Sequence, residues 1–320
     1  MNRISRSLVA LVVVSALALP AMAKDDALAL VPANAVTVGM VKLAEMRTSP
    51  LSSLLFEHTD KMSTDGEAEK FLIEAGLAPL KDVDVLVVAT SPRSNLGTEA
   101  DVLVIAEGRF NAERLTAALV TRGAVKKNNY LVLPDNEEPK GAVAFPSGSL
   151  VIAGTERAVV AALAARTSGN GTGFRARGAL GQDLPRLDST ATAWALVDVT
   201  RAARLAKGGP ITSGKGPSGD ALQAALRTVS TVGMWAKDKG NALELGAFGL
   251  STDDETLQLL EDTVRGGLSA LRLAVREKAP EMVTVLRAFD VSRKDDAILV
   301  EGSIPAAQLR EMMAKKRAAK

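Results

Sequence analysis

The chain has 320 residues with no cysteine, one histidine and 3% aromatic residues, while 47% of its residues are hydrophobic. The lack of cysteine excludes disulfides, thiol catalysis, cysteine-ligated zinc and iron–sulfur clusters, and one histidine cannot build a site of several histidine ligands. So few aromatic rings leave little material for stacking on bases or sugars, and the core must be built from Ala, Val and Leu.

The N-terminus is typical of a cleavable export signal. Arg3 and Arg6 precede an apolar run over residues 8–19, and the small-residue motif A-M-A ends at Ala23. An apolar run of 12 residues is shorter than the roughly 18–20 needed to span a bilayer, although an uncleaved anchor is the alternative. We expect cleavage after Ala23, a periplasmic or secreted protein, and no stable transmembrane segment after cleavage.

The charge of the mature chain argues against a polyanionic partner. Loss of residues 1–23 removes two of the 39 basic residues and leaves 37 acidic ones, so the formal net charge falls from +2 to zero. A neutral chain gives no general reason to bind nucleic acid or anionic lipid. The C-terminus alone is locally basic, which we interpret as a solvated helix end, through Lys315, Lys316, Arg317 and Lys320.

Val-rich runs and helix caps predict alternating strands and helices in the first half. Helices are predicted to begin at Pro50, near Gly66, after the N-cap Asn111 and after Thr155. Strands are predicted over 35–43, 83–90, 101–107, 130–133, 142–145 and 150–153.

The second half shows a similar order of elements after a Gly-rich junction. Strands are predicted over 191–199, 228–236, 242–250, 289–291 and 297–301. Ser251 is predicted to cap a long helix, and short helices are predicted over 220–226, from Pro280 and after Pro305. The long helix has one apolar stripe of Leu257, Leu260, Val264, Leu268, Leu271 and Val275.

This shared order predicts an internal duplication. Segments 41–43, 110–113 and 150–155 resemble segments 197–199, 250–253 and 298–303, at offsets of 156, 140 and 148 residues. We predict an α+β fold of two tandem ferredoxin-like, split βαβ halves, with antiparallel sheets and helices packed on one face. The predicted divisions are a signal peptide (1–23), a first repeat (24–170), a linker (171–190) and a second repeat (191–320). Coincidence among common elements is the alternative.

Two short motifs in the first half carry a resemblance. A helix start at Ser49-Pro50 is followed by a G-L-x-P-x-x-D-x-D segment from Gly76 to Asp84. The chain thereby resembles exported bacterial proteins of uncharacterised role with duplicated ferredoxin-like αβ repeats. That resemblance implies no established activity, so it assigns no catalytic residue.

A Gly-rich segment at 209–216 matches G-x-x-x-x-G-K but has Gly216 where a phosphate-binding loop needs Ser or Thr. We interpret it as a flexible loop. Ser213 and Lys215 in this loop would need a desolvated lysine and a rigid oxyanion site to act as a hydrolase pair, and a Gly-rich loop supplies neither.

The remaining candidates have ordinary explanations. His58 would have to serve any Ser-His-Asp triad, but no G-x-S-x-G motif exists, and we interpret it as a surface or helix-end residue. The sequon 170–172 is expected to be unused in a bacterium. The sequence has three acid pairs. Asp82 and Asp84 are two apart, so on a strand they would face the same side and could bind a cation or act in acid–base chemistry, although they also suit a polar strand start. Asp253/Asp254 suit a helix start and Asp295/Asp296 suit a turn. No catalytic, cofactor-binding or metal residue is assigned.

Three functions stay open at this point. The sequence favours a non-catalytic exported protein that binds a protein or another envelope partner. The first alternative is a periplasmic carrier of lipid or another apolar ligand, whose groove would use the methionines Met40, Met46, Met234, Met312 and Met313. The second alternative is a hydrolase with a carboxylate-based site, such as a glycosidase, although few aromatics argue against a sugar cleft.

We expect export to remove residues 1–23, because the small residue at Ala23 suits a signal peptidase site. Protein recovered from the periplasm of an exporting bacterium should begin at Lys24 by intact mass. The Ala23→Arg variant should retain its leader, whereas Asp25→Asn should be processed normally. A wild-type protein that keeps its leader would instead be an anchored one.

Overall fold

A computed structural model describes residues 26–47, 74–94, 99–134, 140–168, 173–205, 229–277 and 279–318. Twelve strands form one open antiparallel sheet in the order β11-β12-β10-β9-β8-β1-β2-β3-β7-β6-β5-β4. The strands are β1 Thr37–Val41, β2 Val83–Pro92, β3 Ala100–Gly108, β4 Val125–Lys127, β5 Tyr130–Val132, β6 Gly141–Ser147, β7 Leu150–Thr155, β8 Ala193–Asp198, β9 Thr231–Asp238, β10 Ala242–Leu250, β11 Phe289–Lys294 and β12 Ala297–Pro305.

Ten α-helices accompany these strands in the described part of the chain. They are α1 Leu43–Met46, α2 Pro79–Asp82, α3 Ala112–Thr121, α4 Glu156–Ser168, α5 Phe174–Arg177, α6 Ala179–Gln182, α7 Val199–Leu205, α8 Asp254–Val275, α9 Pro280–Arg287 and α10 Ala306–Ala318. Two short segments, Ala27–Leu30 and Leu184–Arg186, form 3₁₀-helices.

The two predicted halves share one sheet because β1 pairs with both β2 and β8. Gly39 of β1 lies opposite Val88 on one side and Ala195 on the other. The α+β class and antiparallel pairing are confirmed. Two separate sheets were expected, and that expectation is wrong since the β1–β8 ladder joins them. The topology does not show the ferredoxin-like duplication.

Helices cover both faces of the sheet, which corrects the prediction of helices on one face. Along β12, Ala297 and Leu299 pack in the main core with α4, whereas Ile298 and Val300 pack under α8. We call the first side face 1 and the second side face 2. Helix α3 also lies on face 2, where Leu115 packs near Leu86. Both faces need cover because both carry apolar side chains.

The segment predicted as a linker packs into the main core where the structure describes it. Phe174, Leu180 and Leu187 are buried in the same cluster as the face 1 side chains of the sheet. Arg186 donates to both carboxylate oxygens of Asp296 in the β11–β12 turn, at 2.7 and 2.8 Å. This bidentate pair joins residues that are 110 positions apart in sequence.

Aromatic rings lie over glycines of neighbouring strands. Phe248 covers Gly233, and a Cβ added at Gly246 would lie 2.2 Å from the ring of Trp235. Phe289 of β11 covers Gly302 of β12 in the same way. Such pairs fix the rings in place because only glycine leaves the space that they fill.

Helix α8 is capped two residues later than predicted. Asp253 is its N-cap and accepts the Thr256 N–H at 2.8 Å, and hydrogen bonds from the side chain and N–H of Thr256 lower the pKa of that carboxyl. The Ser251 hydroxyl instead accepts the Asp253 N–H at 3.3 Å. The predicted stripe is buried at Leu257, but Leu271 is 47% exposed, so the helix extends beyond the part of the sheet it covers.

The carboxylate of Asp101 on face 1 is buried and accepts several hydrogen bonds. We predict that Asp101→Asn lowers the free energy of unfolding by about 2 kcal/mol. Its carboxylate accepts Arg93 Nε at 3.1 Å, Thr155 Oγ1 at 3.0 Å and Arg157 Nε at 2.6 Å. Urea unfolding measures the effect. Glu99 pairs with the same Arg93 but is exposed, so Glu99→Gln should change stability by under about 0.5 kcal/mol. Equal losses in both variants would contradict this account.

Asp188 should make stability depend on pH. Bonds from the Thr190 hydroxyl and N–H, and then from Lys237, lower its pKa from 3.8 to about 2. A lowered folded-state pKa stabilises the fold above the unfolded pKa, and this stability is lost as pH falls from about 4 to about 2. Asp188→Asn should cost roughly 2 kcal/mol at pH 7 and much less near pH 2 in urea unfolding. A cost that stays constant over this range would show that the carboxylate charge is not the cause.

Candidate functional site

An apolar trough of about 530 Å³ crosses the middle of face 2. Its length across the strands from β12 to β2 is about 24 Å, since neighbouring strands lie about 4.8 Å apart. Its lining residues are Gly39, Met40, Val41, Leu86, Val88, Ala193, Trp194, Ala195, Met234, Trp235, Ala236, Leu245, Gly246, Ala247, Phe289 and Val300.

Small residues on adjacent strands make the floor of the trough. Gly39 of β1 lies opposite Ala195 of β8, which lies opposite Met234 of β9, which in turn lies opposite Ala247 of β10. The floor is low at the glycine and alanines because their side chains barely rise from the sheet. Helices α3 and α8 pack on face 2 to either side of it.

Larger apolar side chains in the same row remain open to solvent. Met234, between Ala195 and Ala247, is 48% exposed, and Val88, opposite Gly39, is 40% exposed. Phe289, held over Gly302, limits the trough at the β11 edge. Soluble proteins rarely leave contiguous apolar surface open unless it serves binding.

Within the described ranges, the trough contains no group for acid–base chemistry. Among the residues that the structure describes, those lining it are all uncharged. A mostly apolar cavity of 300–1,000 Å³ is typical of small-molecule sites. The arrangement therefore favours an apolar ligand held by burial.

A second cleft, on the other side of the sheet, is polar. It has a volume of about 520 Å³, and its charged lining residues are Asp26, Lys42, Glu45, Asp84, Glu107 and Arg175. Its charges bond within the protein: Lys42 pairs with Glu45 at 3.4 Å, and Arg175 with Asp26 at 3.3 Å. Glu107 accepts the Ala27 N–H at 2.7 Å. No group of three or more His, Asp or Glu residues placed to hold a metal occurs in the described ranges.

Asp82 and Asp84 do not project from the same face of one strand, as the sequence had predicted. Asp82 ends α2 and accepts the Ala78 N–H at 2.7 Å, while Asp84 follows the start of β2 and pairs with Arg47 at 2.7 Å. The strand begins at Val83, so the alternation assumed from sequence does not apply to Asp82.

The other two acid pairs have the structural roles that the sequence predicted. Asp254 lies in the first turn of α8 beside the cap residue Asp253. Asp295 takes a positive φ of 51° in the β11–β12 turn, and Asp296 binds Arg186. None of the three pairs lines the trough.

Several sequence candidates lie outside the described residues. They are His58, the Ser49-Pro50 helix start, the loop 209–216 with Ser213 and Lys215, the sequon 170–172 and Lys320.

Of the five methionines, Met234 lines the trough with its side chain on face 2. The side chain of Met40 lies on face 1, where it packs against the main core. Met46, the last residue of α1, is buried, and Met312 is half-buried on α10. The sequence analysis did not predict the small-residue floor. The pattern that could have revealed it is the A-W-A-L order from Ala193 to Leu196, in which small and large side chains alternate between the two faces.

No family model matches the chain, and no curated protein matches it. Among solved structures, crystal form III of TP0453 covers 91% of this chain and 98% of its own, at 8% identity and a TM-score of 0.50. Crystal form I of TP0453 covers 91% and 97%, at 10% identity and a TM-score of 0.48. None of the described helices is long and apolar enough to cross a membrane. At such low identity the likeness concerns the fold alone: over most of its length, this chain is folded like TP0453.

Proposed function

We propose that this chain is an exported, non-catalytic binding protein that holds an apolar ligand, such as a lipid acyl chain, in the trough on face 2. The observation that carries the proposal is an uncharged, solvent-open trough of about 530 Å³ at the centre of the sheet. Export rests on the predicted leader. The carrier hypothesis is favoured over the protein-partner hypothesis because the cavity has the size of a small-molecule site.

The driving force for such binding is burial of hydrocarbon. Each methylene removed from water contributes about 0.8 kcal/mol, so a chain that lies along the floor gains affinity without any hydrogen bond. The hydrolase hypothesis receives no such support. Asp82 and Asp84 are bonded to a backbone N–H and an arginine, and neither acid lies in the trough.

We also propose that the chain arose by duplication and that the ligand lies at the junction of the halves. The spatial orders β1-β2-β3-β7-β6 and β8-β9-β10-β12-β11 place corresponding strands at equal distances from the β1–β8 ladder. This order supports the proposal, and the trough floor crosses the same ladder.

Filling or charging the trough should weaken apolar binding. A Cβ at Gly39 would meet Trp194 O at 3.6 Å and the Ala195 Cβ at 3.9 Å, which are ordinary contacts, so Gly39→Leu should fold and occupy the floor. Met234→Glu should place a charge in the trough wall. We expect each variant to bind a fluorescent long-chain fatty acid about tenfold more weakly, because about two methylenes of the ligand would no longer be buried in the trough.

Two matched variants control for the added side chains. Gly266→Leu adds leucine on α8, where nothing lies within 4 Å, and Leu273→Glu adds a carboxylate at a leucine that is 70% exposed. Both should bind the fatty acid as the wild type does. Wild-type protein that binds no apolar probe, or trough variants that bind it unchanged, would refute the proposed function.

A further inference from the structure

We infer that the trough selects one alkyl chain by its length and is indifferent to the polar headgroup attached to it. This inference rests on the proposed function and adds the ligand class to it. It follows from the uncharged lining, from the bonds of the charged side chains at its ends and from the length of the trough.

Charged side chains at both ends of the trough are already bonded within the protein. At the β11 end, Arg272 of α8 donates to the carbonyl of Leu286 at 2.9 Å and to that of Phe289, a trough residue, at 3.4 Å. At the β2 end, Arg47 pairs with Asp84 at 2.7 Å and also donates to the carbonyls of Leu80 and Val83, each at 2.7 Å.

A charged headgroup would therefore have to displace an existing ion pair or hydrogen bond to gain a fixed partner. Taking such a group into an uncharged lining would also cost its solvation. The headgroup accordingly stays in water at the open side, and the alkyl chain alone contributes to affinity. A phosphate, a carboxylate and an uncharged glycerol ester should then be bound alike.

The trough is long enough for one extended chain. Its length of about 24 Å exceeds the roughly 15 Å depth of one leaflet of a bilayer core, so a membrane acyl chain can lie along it fully extended. Affinity should therefore rise with each added methylene throughout the range of membrane lipids.

Two ligand series test this inference on the mature full-length chain, by displacement of a fluorescent fatty acid below the micelle concentration. The first series keeps a carboxylate and lengthens the saturated chain. The second keeps one chain and changes the headgroup among carboxylate, monoacylglycerol and alkyl trimethylammonium. We expect affinity to rise about fourfold per methylene in the first series and to vary by less than about threefold in the second.

Gly39→Leu shortens the usable floor, so it should weaken the longest chains most, while Gly266→Leu should leave the whole series unchanged. A flat chain-length series, or a headgroup preference of about tenfold or more, would overturn the inference and leave the proposed function standing. Absence of binding by every amphiphile would overturn the proposed function itself.

Discussion

The register between β1 and β8 is the constraint on which the rest of this structure depends. Val38 lies opposite Leu196 on one side and Ala89 on the other, and all three are almost fully buried on face 1. The next residue, Gly39, lies opposite Ala195 on face 2. Because side chains alternate between faces, a slip of one residue would expose this core and fill the trough with larger side chains. One ladder therefore determines both the core and the candidate site.

Glycines of the sheet occur in two settings. Gly233 and Gly246 are covered by the rings of Phe248 and Trp235, so their missing side chains are replaced by aromatic packing. Gly39 has no such ring above it, and its nearest neighbours would allow a Cβ in ordinary contact. Glycine in a strand lacks side-chain packing and costs conformational entropy. Its presence at an uncovered position is consistent with a role in binding rather than in packing.

Local sequence signals predicted most elements but not how they assemble. The cap Asn111, which accepts the Arg114 N–H at 2.9 Å, marked the start of α3 correctly, and Val-rich runs located β2 and β3. Strand β4 was missed because Val125–Lys127 is short, polar and exposed. The β1–β8 pairing joins residues about 156 apart, and no local pattern specifies such a partner. The trough was missed for the same reason, since its floor exists only once distant strands align.

The open sheet ends in two strands that carry cationic side chains. Lys126 lies on the outer strand β4, and Lys294 lies on the opposite outer strand β11. An unpaired strand offers its backbone groups to any extended chain, and lysines on such an edge oppose addition because their charges lose solvation and repel one another. Like charge at both margins disfavours edge-to-edge growth between copies. Copies of this wide, aliphatic sheet are thereby disfavoured from joining into a larger sheet.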